Sequence, residues 1–133
     1  MAVTVNTRLA IGFSLMLWPV VASAQVHTVQ VLVGYKCMML AQQWSGEGPT
    51  PQPVPVFDGP GPGAQPVGIA GGTVIVAASA QPVGGRLPAV FPDGRKVWID
   101  ASKVVPWHAK ADPSASCRPV YLSNGRYGTD GGH

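Results

Sequence analysis

Charge is scarce in this chain, with nine Lys and Arg and six Asp and Glu among 133 residues. The basic residues are scattered, and only Arg95 and Lys96 are adjacent. A surface for nucleic acid or anionic lipid needs a basic cluster, so neither partner is expected. Histidine is as sparse: His27, His108 and His133 give no local pair, whereas a metal site needs three or four converging ligands. No metal or other cofactor is expected. Long helical periodicity and internal repeats are absent, which excludes bundles and solenoids. The one long apolar run, Leu9–Val21, falls short of the about 20 residues that cross a bilayer and contains Pro19.

What is present at the N-terminus fits a secretory signal. Arg8 supplies positive charge, Leu9–Val21 the apolar core and Ala22-Ser23-Ala24 a small-x-small cleavage site. Cleavage would leave residues 25–133, a length that suits one domain with a modest core. Loss of Arg8 lowers the formal net charge from +3 to +2. The expected product is periplasmic or secreted and not embedded in a membrane. Cys37 and Cys117 are the only cysteines, and in an exported chain an even count points to a disulfide. Closing a loop of about 80 residues is worth on the order of 4 kcal/mol in the chain-entropy model. The alternative is a soft copper(I) site from Cys37, Met38 and Met39, but no second Met, His or Cys cluster supports it.

Strand signals dominate the rest. Val29, Val31, Val33, Tyr35 and Cys37 alternate with Gln30, Leu32, Gly34 and Lys36, which predicts one half-buried strand ending at the cysteine. Met38–Trp44 is short enough for a helical turn or irregular structure, and the alternating prolines from 49 to 55 suit a stiff spacer. Short strands follow at Val54–Phe57 and Val67–Ile69. Thr73–Ala78 is the strongest β run. Val74 and Val76 are expected to face inward and Ile75 outward, against the N-terminal strand or the C-terminal return. Leu87–Ile99 reads as a hairpin around Pro92-Asp93-Gly94. Ala109–Leu122 returns the chain to Cys117, and the Gly-rich Ser123–His133 predicts a disordered tail.

The order of these features resembles the bacterial SH3-like domain. The matching residues are Val56 with Pro60, Val67-Gly68, Gly72-Thr73-Val74-Ile75-Val76, and Asp93-Gly94-Arg95-Lys96-Val97-Trp98-Ile99. Ala101-Ser102-Lys103 followed by Val104-Val105 would be the single-turn helix and closing strand. The chain is also similar to small exported proteins of acetic-acid bacteria, a similarity that brings no activity with it. The resemblance implies an all-β fold: a small five-stranded SH3-like barrel over 54–107. Residues 25–53 would add an extension strand and connector, 108–122 a disulfide-tethered return and 123–133 a flexible tail. Two positions depart from the family pattern. Val97 replaces a glycine, and Gly85 is followed by Arg86-Leu87-Pro88 where the family carries a ligand-facing aromatic.

Trp98, Trp107, His108 and Phe57 are the candidate ligand-binding residues. Trp98 either fills the barrel or serves as an open ligand platform. Trp44, Trp107 and Tyr121 either cover a barrel edge or present rings for stacking. A catalytic reading would pair His108 with Asp112 or Asp100 and use Ser102, but no strand–nucleophile–turn signature accompanies them. The Gly59–Gly63 loop is interrupted by prolines that lack the N–H donors of a phosphate cradle. No two prolines lie three apart, and the 58–66 loop carries the single acid Asp58, so PxxP chemistry is absent on both sides. The sequence therefore predicts a non-catalytic binding module of the bacterial envelope. Its partner would be peptidoglycan or an envelope protein. The alternative is a structural subunit docking one periplasmic partner through the N-terminal strand.

Overall fold

A computed structural model describes residue 12 and residues 25–42, 52–109 and 111–132. The signal segment (apart from residue 12), Trp44 and Pro49–Pro51 lie outside the described residues. Among the described residues ten strands and one 3₁₀ turn follow in chain order: β1 Thr28–Val31, β2 Tyr35–Leu40, β3 Pro55–Phe57, β4 Pro66–Ile69, β5 Thr73–Ala77, β6 Arg86–Val90 and β7 Lys96–Asp100, then the 3₁₀ turn Ala101–Lys103, then β8 Val104–Pro106, β9 Ser116–Leu122 and β10 Tyr127–Gly132. All neighbours are antiparallel. They form a three-stranded sheet, β1-β9-β10, and a seven-stranded sheet, β4-β3-β7-β6-β5-β2-β8. The all-β expectation holds, but neither sheet is closed into a barrel.

The N-terminal strand needs correction. Residues 29–37 are not one strand, because the chain turns at Gly34, whose φ of +86° suits a residue without Cβ. The valines expected to face inward are instead out in solvent, Val29 at 58%, Val31 at 42% and Val33 at 91% exposure. The two halves join different sheets: β1 pairs with β9, while β2 lies between β5 and β8. Met38–Leu40, expected as a helical turn or irregular, continues β2, and Met38 and Leu40 enter the core. The seven-stranded sheet thus takes its first strand from what reads as an extension. The 3₁₀ turn at Ala101–Lys103 and the strand after it lie where the resemblance implies them.

The main core lies on one face of the large sheet, where Val56, Val76, Val97 and Ile99 are almost fully buried and pack with Met38, Leu40 and Val104. Val74 and Val76 belong to it, as alternation along β5 demands. Ile75 is 5% exposed yet lies outside this cluster. Its register partner is Cys37, whose sulfur is bonded to Cys117 of β9 with the Cα atoms 6.1 Å apart. The small sheet therefore lies over the opposite face of the large one, where Cys37, Ile75, Val90 and Val120 form a second buried set.

The C-terminal segment is also corrected. Residues 127–132 are not a loose tail but strand β10, paired along its length with β9. Two local features hold it. The Tyr121 and Tyr127 rings meet edge to face at 5.5 Å, and the Tyr127 N–H donates to Pro92 O at 2.8 Å. Gly content misleads there because strand pairing, not propensity, decides the outcome.

Because the disulfide crosses from the large sheet to the small one, its loss should act unevenly. Replacing both cysteines with alanine should cost about 2–5 kcal/mol of unfolding free energy. Hydrogen exchange should show amides of β1, β9 and β10 losing protection before those of β5–β7.

Candidate functional site

Phe57 and Trp98 are brought together. They are register partners on β3 and β7, and the buried Val56, Val97 and Ile99 beside them place both rings on the face away from the core. Trp98 is half-buried and outside the core cluster, so the interior is filled by aliphatic side chains and not by an indole. Pro88 lies opposite Trp98 on β6.

Arg86 organises this face, and sequence reasoning missed its role. Its guanidinium lies 3.6 Å from the Phe57 ring centroid. Nε donates to Asp100 Oδ1 at 3.0 Å, while Nη1 donates to Gly61 O at 2.8 Å and Gly59 O at 3.3 Å. With only 15% of its side chain exposed, Arg86 pins the β3–β4 loop onto the sheet and caps Phe57. The signal was present: counting outward from the Pro92–Gly94 turn sets Arg86 against Asp100, an opposite-charge cross-strand pair. The cation is engaged through Nε, Nη1 and the face of its guanidinium.

Trp107 and His108 lie elsewhere. They follow β8, which is separated from β7 by β6, β5 and β2. The Trp107 N–H reaches Cys37 O at 3.4 Å, and its side chain lines a cavity of about 290 Å³ with Thr73, Cys117 and Asp130. His108 is exposed. The four candidate residues therefore do not form one site. Of the side chains weighed for catalysis, Asp100 accepts from Arg86 Nε at 3.0 Å, and Asp112 accepts from the Ser114 N–H and hydroxyl at 3.0 and 2.6 Å. Among the described residues no group of three His, Cys, Asp or Glu is placed to hold a metal.

A larger concavity lies at the junction of the sheets. This groove, of about 530 Å³, runs from the β4–β5 turn across Phe91 and the β6–β7 turn to the start of β10. Ile75, Val90 and Phe91 give it apolar lining, while Thr73, Asp93, Arg95, Arg126 and Thr129 contribute polar groups. A few hundred cubic ångströms, mostly apolar with a few polar groups, is the usual form of a ligand site. Gly94, at φ +90°, makes the turn possible and leaves room for Tyr127, whose Cε2 would lie 3.0 Å from a Cβ there. Asp93 accepts from the Arg95 N–H at 3.1 Å and from Arg95 Nε at 2.7 Å. These two bonds hold the Asp93 carboxyl below its ordinary value, and the charge of Arg126 adds to the effect. The groove was invisible in the sequence because one wall is the segment expected to be disordered.

Arg86→Met should remove the donors of Asp100 and the loop carbonyls and cost about 1–3 kcal/mol in denaturant unfolding. For Asp93 the sign follows from its lowered value: the stability it adds is complete above the ordinary carboxylate range and is lost as pH falls through the lowered folded value. The stability difference between wild type and Asp93→Asn should thus be flat near neutral pH and shrink below pH 3.8, read by thermal melts across pH. Comparison with protein-family models, with curated proteins and with solved structures found no match to this chain.

Proposed function

We propose that this protein is an exported, non-catalytic SH3-like binding module of the bacterial envelope, acting on a cell-wall peptide, a glycan or an envelope protein. The groove between the two sheets carries the reading, because it is a concave, mostly apolar site with a few placed polar groups. The SH3-like assignment is supported by the β5-β6-β7 meander, the single 3₁₀ turn after it, and β8 pairing with β2. The disulfide suits an oxidising compartment, and no helix among the described residues is long and apolar enough to cross a membrane.

A second reading, a structural subunit that docks one partner, is favoured by β1. This strand is an edge of the small sheet and exposes Val29 and Val31, an arrangement that invites strand addition.

Co-sedimentation of the exported protein with purified cell-wall sacculi tests the first reading. The wild type should pellet, Thr129→Trp should lose binding by filling the groove, and Trp98→Ala should retain it. Loss with Trp98→Ala alone would move the site to the Phe57–Trp98 face. No pelleting, together with one stoichiometric crosslinked partner that Val29→Lys abolishes, would favour docking through β1.

A further inference from the structure

The chemistry of the groove narrows its ligand, an inference that rests on the groove being the binding site. Of its three charged lining residues, two satisfy each other. Asp93 takes both bonds from Arg95, and Arg95 Nη1 also donates to Val67 O at 3.3 Å while its guanidinium lies 5.1 Å from the Phe91 centroid. The ion pairs among the described residues join Arg86 to Asp100, Arg95 to Asp93 and Arg118 to Asp130. Arg126 is in none of them. It is exposed at the start of the β10 wall, beside an apolar surface, with guanidinium donors available. The charged lining therefore has one positive charge in excess, carried on a planar group that binds a carboxylate through two parallel bonds.

The backbone beside Arg126 adds a second feature. The Leu122 N–H donates to Arg126 O at 2.8 Å, and the antiparallel ladder then alternates. Tyr127 is accordingly turned outward, and its N–H bonds Pro92 O on the β6–β7 turn. Two residues on, Thr129 repeats that orientation opposite Pro119, which has no N–H to offer. Thr129 is exposed and lines the groove, and β10 has no strand on its outer side. Its N–H and C=O face the position an added strand would take.

We infer that the groove takes an extended acidic peptide, with its carboxylate on Arg126, its main chain on the open edge of β10 at Thr129, and an aliphatic side chain against Phe91. The carboxylate belongs to an Asp or Glu side chain or to the peptide C-terminus, and the probes distinguish the two.

The test is titration of the full disulfide-bonded protein, followed by amide NMR, with three peptides: N-acetyl-Leu-Asp-Leu-amide, its Asn counterpart, and N-acetyl-Leu-Ala-Leu with a free C-terminus. At least one carboxylate peptide should shift the Thr73, Phe91 and Thr129 amides and bind roughly tenfold or more tightly than the Asn peptide. The tighter of the two identifies the carboxylate source. Arg126→Gln should abolish the preference, Arg126→Lys should keep part of it, and raising the salt should weaken it. Equal binding of all three peptides, or a preference that survives Arg126→Gln, overturns the inference while leaving the groove as a site. No shift at the groove with any peptide overturns both.

Discussion

The covalent bond between Cys37 and Cys117 is the constraint on which the arrangement depends. It joins β2, inside the seven-stranded sheet, to β9, the middle strand of the three-stranded sheet. A three-stranded sheet of this size buries little apolar surface by itself, and β1 turns Val29 and Val31 to solvent. Its hold on the larger sheet comes from the buried Val120, from Tyr127 at the Gly94 turn, and from the sulfur link. The groove is a consequence of that docking. One wall comes from the large sheet and the other from β10.

The same economy governs the charges. A chain with few charged residues commits six of them to ion pairs. Arg86 fastens the β3–β4 loop through Asp100 and two carbonyls, Arg95 closes the β6–β7 turn through Asp93, and Arg118 meets Asp130 across β9 and β10. Against that background Arg126 differs by position and not by residue type, being the arginine at the groove that lacks a carboxylate partner in the described structure. The aromatics behave similarly. Phe57 is capped by Arg86 and Phe91 lies beneath Arg95, so both rings are in part covered by cations.

Much of the large sheet was legible. Thr73–Ala77 announces itself by β-branched residues and the Leu87–Ile99 hairpin by its Pro-Asp-Gly turn, while the 3₁₀ turn was expected only from the family resemblance. The cysteine pairing followed from a count of two and the expectation of export. Two stretches were misread for the same reason. Val29–Cys37 has a period of two throughout, but a turn at Gly34 sends its halves to different sheets, and periodicity carries no information about which partner a strand meets. In residues 127–132 three glycines and an aspartate outweigh Tyr127 and Thr129 in strand propensity, and β9 recruits the segment through main-chain bonds that glycine makes as well as any residue.

Local chemistry in the sequence settled what the chain is made of: short strands, tight glycine turns and one sulfur bridge. Such signals act within a few residues, so they are readable before folding. Which faces oppose one another, and hence where a groove opens and which arginine is left facing it, was decided only when β9 and β10 settled on the larger sheet. Those contacts join positions up to about a hundred residues apart, as between His27 and Ser123, and no local pattern encodes them.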